Sequence, residues 1–291
     1  MDALDRDERI MLSIGTKQGS RADGSFRTPI GLAFDHRGLL LVVECYNHRV
    51  QVFSCDDDHD NGSFVSKFGE QGSQPGQLMN PYGLAIDHDH DRIFITDGDN
   101  ARVQVWSLSE QSFLSCIGKK GSGDLEFNNP RGIAIDKHHH RIVIVDSNND
   151  RLVFLSSIDF SFLFSIGKRG SRPGEFSSPS GIAIDHDRHR IILTDSNNDR
   201  VQVLSLIDGS FLFEFGSQGD QPGQLHFPRG VCIANQGRVI VADTNNNRLQ
   251  AFTHEGHHIS SFDWGTDEHP WASENPWGVA FDEHRGLIAF S

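Results

Sequence analysis

One feature constrains this chain more than any other: a Pro-x-Gly triplet, followed by a short apolar run and in five cases an acid, recurs six times along its 291 residues. The triplets are Pro29-Ile30-Gly31, Pro81-Tyr82-Gly83, Pro130-Arg131-Gly132, Pro179-Ser180-Gly181, Pro228-Arg229-Gly230 and Pro276-Trp277-Gly278, with prolines 52, 49, 49, 49 and 48 residues apart. A fixed period of this size marks a repeat array in which each unit buries its apolar face only against its neighbours. The period runs through nearly the whole chain, so one domain spanning 1–291 is expected, although the length alone would accommodate two.

Within a repeat the apolar runs are short. Ile182-Ala183-Ile184, Ile191 to Thr194, Val201 to Leu204 and Phe211 to Phe215 are β-branched, aromatic or alternating segments bounded by Gly, Asp, Asn and Ser. Those boundary residues supply turn backbone and local hydrogen bonds. No window has a convincing 3.6-residue period, so few helices are expected. Four short antiparallel strands per repeat and six repeats predict an all-β, six-bladed β-propeller, an arrangement that leaves only short sheet edges. Residues 1–7 read as a flexible N-terminus. Residues 8–15 match the fourth strand of a repeat but precede the first triplet, and they are expected to complete the last blade and close the ring. Repeats begin near 29, 81, 130, 179, 228 and 276. The last one ends at Ser291, after two strands and before any Asn-x-Arg turn, so the natural chain is expected to continue.

Taken together, the G-x-x-P-G-x-F/L connector, P-x-G-[IV]-A-[IV]-D, the Asn-x-Arg turn and the closing F-x-F-G resemble the NHL repeat. The turn reads Asn47-His48-Arg49, Asn100-Ala101-Arg102, Asn149-Asp150-Arg151, Asn198-Asp199-Arg200 and Asn246-Asn247-Arg248, and the likeness covers essentially residues 8–291. Only the first turn keeps the His. The resemblance implies a propeller but no single activity, because one fold carries many functions. In tripartite-motif proteins such domains bind RNA on a basic face, and they often follow a ubiquitin-ligase module. No RING zinc spacing occurs in these residues, so a substrate-recognition role in a ligase would need a catalytic module outside them.

The recurring acids and arginines are expected to be structural. Glu44 and Arg49, Asp97 and Arg102, Asp146 and Arg151, Asp195 and Arg200, and Asp243 and Arg248 lie five apart in five repeats. That recurrence suggests bracing of the blades. The glycine of Pro-x-Gly is expected to permit close packing near the central channel.

The non-repeating residues carry the functional reading. The connector into strand one and the turn between strands two and three lie on one face, so Ile30, Tyr82, Arg131, Ser180, Arg229 and Trp277 are expected to ring the channel mouth. Tyr82, Arg131, Arg229 and Trp277 suit stacking and charge-assisted hydrogen bonds. Lys119, Lys120, Lys168, Arg169 and Arg172 add a basic arc on the same face. Against 40 acids, 26 basic residues leave a net charge of −14, which repels phosphate overall. Locally the balance is softer: residues 15–30, 118–131 and 167–180 carry +2, +1 and +2. A protein partner is therefore preferred, with single-stranded or stem-loop RNA as the alternative.

Other chemistry is disfavoured. The opposite face carries His36, His88, His90, His138, His139, His140, His186, His189 and His284, which read as solvated turns in preference to metal ligands. Asp56 to Gly62 has the alternating acids of a calcium loop, but Asn61 stands where Gly is needed and Lys67 where the bidentate Glu belongs. The first strands carry no His toward the axis, and no G-x-S-x-G, HExxH or phosphate loop is present. The reading is a non-enzymatic scaffold with no cofactor, metal or small-molecule substrate, monomeric as a domain, with a central-channel metal-dependent lyase or hydrolase as the weakest alternative. Cys45, Cys55, Cys116 and Cys232 lack metal spacing and are read as free thiols. With no apolar run of membrane-spanning length, a cytoplasmic location is expected, the nucleus being the alternative.

Overall fold

The computed structural model describes residues 9–10, 22–55, 62–263 and 275–291. Five antiparallel sheets of four strands follow one another along the chain. The third is typical, with strands Pro130–Asp136, Arg141–Asp146, Arg151–Ser156 and Phe162–Ile166 in sequential order. Its inner strands have every side chain of Arg141–Asp146 buried, whereas the outermost strand alternates between half-buried and exposed positions. The chain is thus a β-propeller of four-stranded blades. Its helical content among the described residues is confined to 3₁₀ turns such as Ser147–Asn149 and Ser196–Asn198.

A further sheet holds Val279–Asp282 and Leu287–Phe290, paired antiparallel, with Arg9–Ile10 alongside Leu287–Ile288 in parallel. The N-terminal pairing differs from the expected fourth position. Among the described residues this sheet holds no third strand, and the N-terminal segment lies directly against the second. It keeps the direction of a fourth strand, which in an antiparallel blade runs parallel to the second. The rest of the expected closing strand, and Asp56 to Asn61 of the acidic loop, lie outside the described residues.

The core is divided among the gaps between neighbouring sheets. Phe94, Ile142, Ile144 and Leu155 fill the gap between the second and third blades, and Leu40, Val42 and Phe53 pack on Leu287 and Ala289 where the first blade meets the last sheet. Each fully buried Phe or Ile here removes enough apolar surface to contribute about 2 kcal/mol.

Two sequence signatures position these gaps. In the connector, Leu78, Phe127, Phe176 and Leu225 are 0% exposed and plug the inter-blade cores. Short parallel pairings hold the plugs, such as Lys119 with Glu126 and Lys120 with Phe127. These pairings were not foreseen, because two-residue strands carry no periodic signal. The Pro-x-Gly glycines govern closeness at the axis. A Cβ on Gly31 would collide with the carbonyl of Tyr82, on Gly83 with that of Arg131, and on Gly181 with that of Arg229. On Gly278 it would meet the carbonyl of Ile30, so the last sheet abuts the first. The triplets therefore form a closed inner ring, each backbone seated on the next.

Candidate recognition face

The turn between strands two and three is built on a buried carboxylate. Asp195 is 0% exposed and accepts from the Ser177 N–H at 2.7 Å, Asn198 Nδ2 at 2.8 Å, Arg200 Nε at 2.9 Å and Gln202 Nε2 at 3.0 Å. Arg200 Nη2 and Gln202 Nε2 also donate to the Glu175 carbonyl, and Asn198 Nδ2 donates to that of Gly170. One carboxylate thus fastens the turn to the connector that precedes it. Asp97 with Arg102, Asp146 with Arg151, and Asp243 with Arg248 repeat the pair at 2.8, 2.8 and 2.7 Å. Burial holds the Asp146 carboxyl above the usual carboxylate range despite these donors.

The middle residue of Asn-x-Arg does a second job. His48, Ala101, Asp150, Asp199 and Asn247 all adopt left-handed backbone, with φ of 52° to 56°. From there His48 Nδ1 accepts from the Asn80 N–H at 3.0 Å, Asp150 Oδ1 from Ser178 at 2.8 Å, Asp199 Oδ1 from Phe227 at 2.7 Å and Asn247 Oδ1 from Asn275 at 2.7 Å. Each acceptor holds the residue preceding the next Pro-x-Gly proline. The His, Asp and Asn at this position are interchangeable because each carries an acceptor of similar reach. Ala101 has none.

At the inner rim, Arg131 lies over Tyr82 (5.4 Å from guanidinium carbon to ring centroid), and Arg229 lies over Trp277 (3.3 Å) and Phe227 (4.7 Å). Arg131 Nε donates to Asn129 Oδ1 at 3.1 Å. By contrast, Arg131 Nη1 and both Nε and Nη1 of Arg229 are buried without a hydrogen-bond partner among the described residues. Burial lowers the Arg131 guanidinium, while burial and the charge of Arg131 bring Arg229 down to about 10. Burial pushes Tyr82 up and the Cys45 thiol beside it to about 12, leaving that thiol unreactive.

The backbone of the two arginines is held from behind. Thr96 Oγ1 donates to the Arg131 carbonyl at 2.6 Å, and Thr194 Oγ1 to the Arg229 carbonyl at 2.5 Å. The other blades place Val43, Val145 and Ala242 before their acid. Threonine therefore stands there only in the blade preceding an arginine triplet. This signal was present in the sequence and was missed.

The basic arc is less available than its residues suggest. Lys119 Nζ lies 3.4 Å from Glu126, Lys168 Nζ 3.6 Å from Glu175, and Arg172 grips the same Glu175 through two nitrogens at 3.0 and 2.7 Å. The Arg172 hydrogen bonds hold the Glu175 carboxyl down at about 2. Lys120 and Arg169 are exposed, and Arg169 borders a shallow polar hollow with Asn148, Asp150, Ser177, Ser178 and Asn197. Among the described residues, no three His, Cys, Asp or Glu side chains are grouped to hold a metal ion. All four cysteines are free, and no described helix is long and apolar enough to cross a membrane.

Fold and face together define a β-propeller with a polar, aromatic-lined inner rim. The chain carries NHL repeats: the NHL-repeat model matches residues 26–53 and 225–252, and a second model, described as a 6-bladed beta-propeller, matches 89–163 and 138–216. "Protein brain tumor" of Drosophila melanogaster is 31% identical over 75 residues, which are 26% of this chain and 7% of that protein. Among solved structures, the nidogen/laminin complex aligns over 87% of this chain and 84% of its own, with 19% identity and a TM-score of 0.64. The gluconolactonase XC5397 of Xanthomonas campestris aligns over 91% and 83%, with 15% identity and a TM-score of 0.67. An inactive virginiamycin B lyase of Staphylococcus aureus, solved with quinupristin, aligns over 87% and 74%, with 15% identity and a TM-score of 0.60. At these identities the likeness shows the fold alone.

Proposed function

We propose that the chain forms a six-bladed NHL propeller that catalyses no reaction and acts as a recognition platform for another protein in the cytoplasm or nucleus. The contact surface is the Pro-x-Gly rim with Tyr82, Arg131, Arg229 and Trp277, flanked by the connectors bearing Lys119, Lys120, Lys168, Arg169 and Arg172. The observation that carries this reading is the rim itself. Two aromatic rings and two arginines, whose buried N–H groups have no partner among the described residues, stand together on the inner ring of triplets. Aromatic and Arg side chains of this kind dominate binding energy at protein interfaces. RNA is the second choice because Glu126 and Glu175 already engage Lys119, Lys168 and Arg172, which lowers the charge left for phosphate.

A photo-crosslinking side chain placed at Ser180 tests the reading against one placed at His284 on the opposite face. Protein adducts at Ser180 that survive ribonuclease, and that are absent at His284, are the expected result. Adducts with RNA at Ser180, or equal protein capture from both faces, would overturn it.

A further inference from the structure

Four rim observations converge on one ligand chemistry. Arg131 and Arg229 flank Ser180 on the ring of triplets, so a small hydroxyl residue separates two guanidiniums. Three of their N–H nitrogens are buried without a partner among the described residues. The Arg131 guanidinium lies over the Tyr82 ring and that of Arg229 over the Trp277 ring. Buried Thr96 and Thr194, each 0% exposed, fix the two arginine carbonyls. A buried cation without a counter-ion is costly, and a protein normally removes it or pairs it. Both arginines are partly buried, and among the described residues no carboxylate pairs with either, while the supports are present.

We propose that Arg131 and Arg229 form the two arms of a receptor for a single carboxylate, an Asp or Glu side chain on a protruding loop of a protein partner with a neutral or basic surface. This rests on the platform reading and names its central contact. Guanidinium and carboxylate match in planar, two-point geometry, and the bond strengthens where water is excluded. The rest of the molecule selects against a polyanion. A net charge of −14 repels nucleic acid at long range and steers a cationic surface inward. Asp150, Asp199 and Glu175 occupy the neighbouring connectors and turns of the same face. Asp150 and Asp199 bring the +2 of residues 167–180 to neutral, so one negative group reaching the axis pairs with the two arginines while the net charge of the whole molecule steers the basic loop that carries it.

The test uses the whole 291-residue protein and two pools of basic nine-residue peptides, alike except for one central Glu in the first and Gln in the second. The unaltered protein is expected to retain the Glu pool at least about tenfold more tightly, the discrimination of a charge-assisted pair. Arg131→Gln with Arg229→Gln should abolish the preference. Thr96→Val with Thr194→Val should reduce it with both charges intact, identifying the threonines as positioning residues. As a check independent of any variant's folding, propionate should displace the Glu pool from the unaltered protein and propionamide should not. Equal retention of the two pools, or retention of neither, would overturn the carboxylate receptor while leaving the platform to be decided by crosslinking at Ser180. A pooled RNA library that displaces the Glu pool at near-physiological salt, and is itself retained only with both arginines present, would assign the arms to phosphate and overturn it too.

Discussion

Three residues carry costs that the fold does not require. Ala101 occupies the left-handed position from which His48, Asp150, Asp199 and Asn247 reach the next blade. A left-handed backbone also disfavours Ala relative to Asn. Ala101→Asn is therefore expected to add a hydrogen bond to the Asn129 N–H and relieve the backbone, raising stability by about 1 kcal/mol. Asp199, only 8% exposed, shows that the equivalent site holds a side chain of this size. Urea unfolding of the single variant measures the gain, and Asp199→Ala should lose a similar amount. Arg131 and Arg229 present the opposite case, since their unpartnered nitrogens contribute desolvation cost and no compensating bond. Replacing both with Gln is expected to leave stability unchanged or raise it by about 1 kcal/mol. A variant pair that melts well below the parent would mean that the guanidiniums brace the ring.

At the scale of the strand and the connector, the inner ring tolerates no side chain at its glycines. In Gly181→Ala the new methyl would meet the carbonyl of Arg229, and the Val231 nitrogen at 3.1 Å, both of them backbone. The fourth and fifth blades must separate to admit it, at about 3 kcal/mol. Denaturant unfolding should place this variant below Gly174→Ala, whose nearest contact is a Phe211 side-chain atom at 4.0 Å and whose cost is that of its left-handed backbone alone (φ 75°), about 1 kcal/mol. These glycines also show what the sequence made legible. The recurrence of Pro-x-Gly exposed the blades, their order and the crowding at the axis, because packing of identical units imposes identical residues. The connector plugs Phe127 and Phe176 were visible as a motif, but their parallel pairings were not. The rim residues were legible as a ring through their register. What the sequence did not disclose was the state of each charge: Lys119, Lys168 and Arg172 engage acids, whereas Arg131 and Arg229 retain buried nitrogens without partners. The Lys119–Glu126 and Lys168–Glu175 pairs do recur seven apart at the repeat period, whereas the state of Arg131 and Arg229 depends on side-chain reach between loops and leaves no such trace.

Across the whole molecule, the face opposite the rim joins blades through histidines. His36 Nδ1 lies 3.1 Å from His88 Nδ1 between the first and second blades, and the His138 and His186 rings are 4.9 Å apart between the third and fourth. Burial, then the facing His36, hold His88 below the usual imidazole range against the opposing pull of Asp35, Asp87 and Asp89. Burial, then Lys137 and His138, lower His186 against Asp136 and Asp185. A base depressed in the folded state binds fewer protons there than in the unfolded chain. Stability must therefore fall as pH drops below the unfolded value of about 6.5, and the loss levels off once pH passes the folded value. Both rings are partly solvated, so screening reduces the effect at each. In a closed ring, however, each blade rests on two neighbours, and loosening one junction weakens support on both sides. Thermal unfolding is expected to begin at lower temperature at pH 5 than at pH 7.5, with His88→Gln and His186→Gln together narrowing that difference. An equal pH dependence in the parent and the double variant would show that the histidine junctions contribute nothing to it and that the carboxylates alone set the acid limit.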